Sequence, residues 1–225
     1  FGLWVEPEMV SIESQLYKKH PDWMIAIPGR RPSVGRNQYI LDLSRQDVRD
    51  YLFKSLSETW HLADVNYIKW DMNRVFSDIY STNAEIRNHG EFLHRYVLGL
   101  YDLLGKLTQA FPDVLFESCA SGGNRFDLGM LCYMSQTWTS DNTDALCRLY
   151  IQEGTSCGYP LSTMGSHVSS SPNHQTLRRT DLEARFNVAA FGVLGYELDV
   201  TKLKGQQKEA IRSQIAFYKA HRSLL

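Results

Sequence analysis

The chain has 225 residues, with 24 Lys and Arg against 25 Asp and Glu for a formal net charge of -1, and 43% of its residues are hydrophobic. That length suits one sizeable core of the larger α/β or barrel kind better than two small domains. The near-neutral charge, with no basic run beyond the pairs Lys18-Lys19 and Arg30-Arg31, argues against nucleic acid or an anionic membrane as partner, and the longest apolar stretch, Val188 to Tyr196, holds two glycines and is too short to span a bilayer.

Short apolar segments ending in polar or glycine-rich residues alternate with longer amphipathic ones, the order of βα units. The first strand is expected over residues 1–5, closed by Trp4, Glu6 and Glu8, with Pro7 marking its end. Glu6 and Glu8 form one candidate carboxylate pair, although neighbours on one strand are poorly placed to flank opposite faces of a ligand. Residues 8–40 read as a long connection carrying Pro21, Pro28, Gly29, Pro32 and Gly35, and long ordered loops of this kind are often functional. Ser44 and Asp47 read as a capping box that opens a helix through Val48, Tyr51, Leu52 and Leu56.

The next strand, over residues 65–71, runs straight into a polar cluster, Lys69-Trp70-Asp71-Met72-Asn73-Arg74. Extended alternation places Lys69, Asp71 and Asn73 on one face and Ile68, Trp70 and Met72 on the other. Lys69 on the same face and Arg74 close by should favour the ionised form of Asp71 and lower its pKa, which equips it as a nucleophile or electrostatic stabiliser. A structural ion pair under a loop is the alternative for K-x-D taken alone. Phe92, Tyr96, Leu100, Leu103, Leu104 and Leu107 then recur at helical spacing until Pro112.

A strand over 114–117 leads into Glu117-Ser118-Cys119-Ala120-Ser121-Gly122-Gly123-Asn124-Arg125, whose glycines let backbone approach a ligand. A tight βα turn accounts for them equally, the pattern is not G-x-S-x-G, and nothing else supports a phosphate nest. A strand over 134–139 leads into Trp138-Thr139-Ser140-Asp141-Asn142-Thr143-Asp144. Asp141 either caps the following helix or is a catalytic acid, and Asp144 reads as a surface or first-turn acid. Two carboxylates at strand ends beside an aromatic ring are the minimum equipment of a glycosidase. Further helices are expected over 144–153, 177–190 and 205–221, and strands over 160–164 and 194–200. His167 and His174 follow the fifth strand as candidate ligand contacts or surface polar groups.

Six such units with polar clusters at the strand C-terminal ends predict most of a (β/α)8 barrel, whose active site lies at that face. An open doubly wound sheet is the alternative, but no nucleotide fingerprint follows the first strand. Cys119, Cys132, Cys147 and Cys157 are irregularly spaced, without C-x-x-C or a nearby zinc-ligand His, so they read as free thiols of a reducing compartment, the cytoplasm, and not as a metal site. The chain opens at Phe1-Gly2-Leu3-Trp4, without an initiator Met or signal region, and reads as an excerpt of a longer protein.

Taken together, Phe1-Gly2-Leu3-Trp4 with Glu6-Pro7-Glu8-Met9, the run Lys69 to Arg74, Cys119-Ala120-Ser121-Gly122-Gly123 and the run Trp138 to Asp144 resemble glycoside hydrolase family thirty-six, chiefly retaining α-galactosidases of bacteria and fungi. The resemblance covers nearly the whole chain, through Pro172-Asn173-His174-Gln175 and Phe191-Gly192 to Gly195-Tyr196-Glu197-Leu198-Asp199. It implies double displacement at a terminal α-linked galactose of sugars such as melibiose or raffinose. Asp71 would be the nucleophile and Asp141 the acid and then the base, with carboxyls about 5 to 5.5 Å apart. It further implies a galactose subsite of Trp4, Arg36, Lys69, Trp70, Asn73, Cys119, Gly122 and Trp138, with no metal and no cofactor. Alternation independently puts Lys69 and Asn73 on the catalytic face, whereas Arg36 rests on the resemblance. The resemblance also makes residues 1–225 strands three to eight of a catalytic barrel, lacking the first two strands and the flanking β domains, and implies a homo-oligomer for the full-length protein. The alternatives are the same chemistry with a sugar acceptor or an N-acetylgalactosamine donor, a non-catalytic galactoside-binding fragment, and a phosphate-handling barrel, for which Gly192 and Gly195 alone do not supply a phosphate loop.

Overall fold

A computed structural model describes residues 1–83 and 85–224, and the chain divides into two compact units. The first comprises residues 1–121 and 127–134. It contains β1 (Gly2–Val5), β2 (Met9–Ser11), α1 (Gln15–Lys19), β3 (Gln38–Ile40), α2 (Gln46–Ala63), β4 (Tyr67–Trp70), α3 (Phe92–Ala110), β5 (Leu115–Ser118) and α4 (Leu128–Leu131). Strands β1, β4 and β5 lie side by side and parallel, with Trp4 level with Lys69 and Lys69 level with Glu117. The residues that α3 buries, Phe92, Tyr96, Gly99, Leu100, Leu103, Leu104 and Leu107, recur every three or four positions and form one stripe. The apolar side chains of this stripe, all but Gly99, join Ile68 and Trp70 of β4 and Val48, Leu52 and Trp60 of α2 in the core. Each large apolar side chain so buried contributes roughly 1.5–3 kcal/mol relative to exposure.

The second unit comprises residues 122–126 and 135–225. It contains β6 (Gln136–Trp138), α5 (Ala145–Ser156), β7 (Met164–Ser169), α6 (Leu182–Ala189), β8 (Val193–Glu197) and α7 (Gly205–His221). Strands β6, β7 and β8 are parallel neighbours in that order. The core here is smaller, built on Val168, Phe186 and Ala189. Helix α7 is tied to it by the Tyr218 hydroxyl, which donates to the Gly192 carbonyl at 2.8 Å. Among the described residues, each unit thus holds three parallel strands alternating with helices, the α/β class expected.

Several local expectations are corrected. Residues 8–40 are not a bare loop, because β2 and β3 pair antiparallel and α1 lies between them. Strands of three residues are too short to display a period. No capping box opens α2: its N-cap is Arg45, whose guanidinium pairs with Asp47, while the Ser44 hydroxyl donates to Asp42 at 2.6 Å. The strand expected at 160–164 begins at Met164, since Pro160 leads into a 3-10 turn over Leu161–Thr163. Helix α6 starts only at Leu182, where the Asp181 side chain caps the Ala184 N–H at 2.8 Å. All four cysteines are free. Among the described residues no helix is long and apolar enough to cross a membrane.

Candidate active site

Asp71 follows β4 directly, and the ladder outlasts the strand. Its N–H donates to the Val5 carbonyl at 2.9 Å, the Met72 N–H donates to the Cys119 carbonyl at 3.1 Å, and the Cys119 N–H donates to the Trp70 carbonyl at 2.8 Å. The carboxylate is thus fixed between the ends of β1 and β5. The Trp4 indole N–H donates to Oδ2 at 3.1 Å, and the Met72 N–H donates to Oδ1 at 2.9 Å. Burial, at 6% exposure, pushes the Asp71 pKa up, but hydrogen bonds from Asn73, Cys119, Trp4 and the Met72 N–H together outweigh it and hold the carboxyl below its ordinary value.

The direction is the one expected, but the cause is different. Lys69 Nζ lies 2.9 Å from Glu117 Oε1, and the Tyr67 hydroxyl donates to the other oxygen of Glu117. Arg74 donates to the carbonyls of Gln38 at 2.5 Å and Ser33 at 3.2 Å. The leading influences that lower the Asp71 pKa are uncharged donors, not these two cations.

Asn73 sits beside the carboxylate and is itself held. Its Nδ2 donates to Glu6 Oε1 at 2.8 Å, its backbone N–H donates to the same oxygen at 3.2 Å, and the Ser121 hydroxyl donates to its Oδ1 at 2.8 Å. Arg36 reaches that Glu6 oxygen at 3.4 Å. It occupies a two-residue turn between Gly35 and Gln38, with positive φ at both Arg36 and Asn37, as a type I′ hairpin turn requires. Arg74 packs across Gly35 so closely that a Cβ there would meet its Cδ at 2.8 Å. The long connection therefore delivers Arg36 to the neighbourhood of Asn73. Trp4 remains 52% exposed, an open aromatic face next to Asp71.

Two other candidates fall on the packing side. Trp70 is fully buried and donates through its indole N–H to Glu8 Oε1 at 2.8 Å, so its side chain is placed as a core residue and not in the group around Asp71. Glu8 is also completely buried and accepts from the Tyr96 hydroxyl at 2.6 Å. Glu6 and Glu8 are consequently not a working pair: one supports Asn73 and the other anchors Trp70 and Tyr96.

In the second unit, Asp141 is exposed at the end of a closely held turn. Gly122 has φ +81, and a Cβ there would lie 2.9 Å from Ser140 Cα and 3.2 Å from Asp141 N, so only glycine lets this backbone press against the turn. The Gly123 N–H donates to the Thr139 carbonyl at 3.1 Å. Asp144, not Asp141, caps α5, accepting from the N–H groups of Leu146 at 3.0 Å and Cys147 at 3.1 Å. It is buried and not a surface acid. Burial raises its pKa, but the Thr176 hydroxyl, the Cys147 N–H and Arg178 hold it below the ordinary value. Trp138 is buried, with the Arg148 guanidinium 4.3 Å from its ring centroid and the His167 ring at 4.4 Å. His167 Nδ1 lies 3.3 Å from Glu197, and His174 is exposed.

Glu117 and Arg148 were not among the expected site residues. An acid in an otherwise apolar strand, two residues before Cys119, was a legible signal for Glu117. Arg148 lies four residues after Asp144 on α5 and had no local signal.

The melibiase family model matches residues 1–225, the entire chain. The chain belongs to the melibiase family. Among its melibiase relatives, Alpha-galactosidase 1 of Pediococcus pentosaceus is 55% identical over 225 residues, which are 100% of this chain and 31% of that protein. The crystal structure of the alpha-galactosidase from Lactobacillus brevis superposes with a TM-score of 0.95 at 55% identity, covering 99% of this chain and 30% of that one. A substituted form of the alpha-galactosidase AgaA from Geobacillus stearothermophilus, crystallised in complex with raffinose, gives 0.95 at 54% identity, over 99% of this chain and 31% of that one. The chain thus spans less than a third of the length of the melibiases it matches.

Proposed function

We propose that this chain is the core catalytic segment of a retaining α-galactosidase that releases terminal non-reducing α-D-galactose from oligosaccharides such as raffinose or melibiose. The observation that carries the reading is Asp71. In a chain of the melibiase family, a carboxylate at a strand C-terminal end is kept ionised by four uncharged donors, beside the open face of Trp4. The ionised carboxylate is the form that attacks carbon in covalent glycoside catalysis.

In the first step Asp71 attacks the anomeric carbon while the proton of Asp141 passes to the departing glycosidic oxygen. In the second, Asp141 takes a proton from water as the water oxygen replaces Asp71 at that carbon. Trp4, Lys69, Asn73, Cys119 and Arg36 bind the galactose, and Gly122 and Trp138 shape the turn that carries Asp141. The AgaA complex with raffinose supports an α-galactoside as the ligand. The parallel βα order and the share of its relatives' length that the chain spans support strands three to eight of a (β/α)8 barrel, completed by the rest of a longer polypeptide. Four free thiols fit a cytoplasmic location.

The test is a side-by-side assay of the full-length protein on melibiose, raffinose and an α-N-acetylgalactosaminide, with the anomer of the first-formed sugar read by NMR. Release of α-galactose from the first two is the expected result. Turnover of the N-acetyl substrate alone, or first-formed β-galactose, would overturn the reading.

A further inference from the structure

Arg148 is 2% exposed, and its guanidinium reaches the turn before Asp141. Nη1 donates to the Thr139 hydroxyl and lies 3.5 Å from the Gly165 carbonyl, and Nη2 donates to the Ser140 carbonyl at 3.0 Å. The flat group lies over Trp138, 4.3 Å from the ring centroid, so all three residues that precede Asp141 touch one side chain. Arg148 is itself fixed by α5, where its N–H donates to the carbonyl of Asp144, the helix cap. The turn is tied from its other side as well. The Gly123 N–H holds the Thr139 carbonyl, and Gly122 backs Ser140 and the Asp141 N–H. Beyond Asp141, the Asn142 N–H donates to the Ser140 hydroxyl at 3.1 Å, and the Asp144 N–H donates to Asn142 Oδ1 at 3.0 Å.

Burying a guanidinium is costly, and five rigid donors far exceed what a strand-to-helix turn needs for closure. The return is orientation. We infer that Arg148 is the positioning residue for the acid and base carboxyl of Asp141, acting through Thr139 and Ser140. The inference rests on the proposed role of Asp141. Proton delivery to a leaving oxygen depends on the carboxyl sitting within hydrogen-bond reach of it, and a 1 Å displacement can cost about 100-fold.

The consequence is selective. A misplaced acid slows substrates whose leaving group must be protonated and spares those that leave as stable anions. The experiment compares kcat/KM of the full-length protein on raffinose and on α-galactosyl fluoride for Arg148→Met, Arg148→Lys, Thr139→Val and Asp141→Asn, with near-UV circular dichroism as the check on folding. Arg148→Met should lose about 100-fold on raffinose and only a few-fold on the fluoride. Arg148→Lys should recover part of the raffinose loss, and Thr139→Val, which removes one acceptor and leaves the guanidinium in place, should show a smaller loss of the same selectivity. Equal losses on both substrates in Arg148→Met would overturn the inference and make Arg148 a purely structural cation. If that variant fails to fold, an unselective Thr139→Val overturns it instead. Asp141→Asn separates the two levels: selective loss there with none in the others sinks only the positioning role, whereas an unselective Asp141→Asn removes the proton-donor role on which it rests.

Discussion

Lys69 and Glu117 stand level on adjacent parallel strands with Nζ 2.9 Å from Oε1, so an ion pair across β4 and β5 lies beside Asp71. Glu117 is buried, and Lys69 and the Tyr67 hydroxyl both turn to it. Removing Lys69 alone strands that carboxylate, which costs roughly 3–5 kcal/mol for a buried pair and falls toward the lower figure here because Lys69 is partly exposed. Lys69→Met should therefore be clearly less stable than Lys69→Met with Glu117→Gln. Urea unfolding of the four proteins in a double-mutant cycle measures the coupling, and simple additivity would contradict it.

Asp71 is ionised because donors outvote burial, and each donor can be removed singly. Trp4→Phe keeps the ring and deletes the indole N–H that reaches Oδ2. The Asp71 pKa should rise, since burial then meets less opposition. Activity that needs the carboxylate is lost as pH falls through that pKa, so the acid limb of kcat/KM should move to higher pH. A pH–rate profile with an unmoved limb would show that Trp4 serves only as a platform.

Asp144 closes the N-terminus of α5 and also accepts from the Thr176 hydroxyl at 2.6 Å and from Arg178 at 2.5 Å. Asp144→Ala should cost about 1–2 kcal/mol of stability, the upper range for a cap. Because the folded pKa is lowered, the stabilisation is present above the ordinary aspartate value near ~3.9 and disappears as pH falls through the folded one. Thermal melts of parent and Asp144→Asn should accordingly converge toward acid pH.

Asp42 behaves in the opposite sense. Burial raises its pKa in spite of hydrogen bonds from the Ser44 and Ser81 hydroxyls and the Ser44 N–H. The folded state takes up this proton more readily than the unfolded one, so stability falls as pH rises from about 3.9 through the raised value. Asp42→Asn should lack that decline, and the difference between the two melting curves across this window is the measurement. Parallel curves would mean that Asp42 carries its charge at no cost.

The chemistry of β4 was legible because strand alternation alone sorts Lys69 and Asp71 from Trp70, and the structure keeps Trp70 in the core with Ile68. What alternation could not supply was the partner of each charge. Lys69 chose Glu117 through a register between adjacent strands that pairs residues 48 apart in sequence, which no local pattern encodes. The choice between Asp141 and Asp144 as helix cap was undecidable in the same way, since both stand next to the helix and only Asp144 finds Thr176 and Arg178 to share its burial. Arg36 reached the site by a type I′ turn written with Arg-Asn rather than the usual Asn-Gly, so the turn left no signature in the sequence.

The identity of the nucleophile is open to one direct measurement, intact mass spectrometry of the full-length protein after exposure to a mechanism-based fluorogalactoside, followed by peptide mapping. The mass should rise by one fluorogalactosyl group, and the label should map to Asp71. A folded, active enzyme that stays unlabelled, or carries the label on another residue, would contradict the assignment of Asp71 as the group that attacks the sugar.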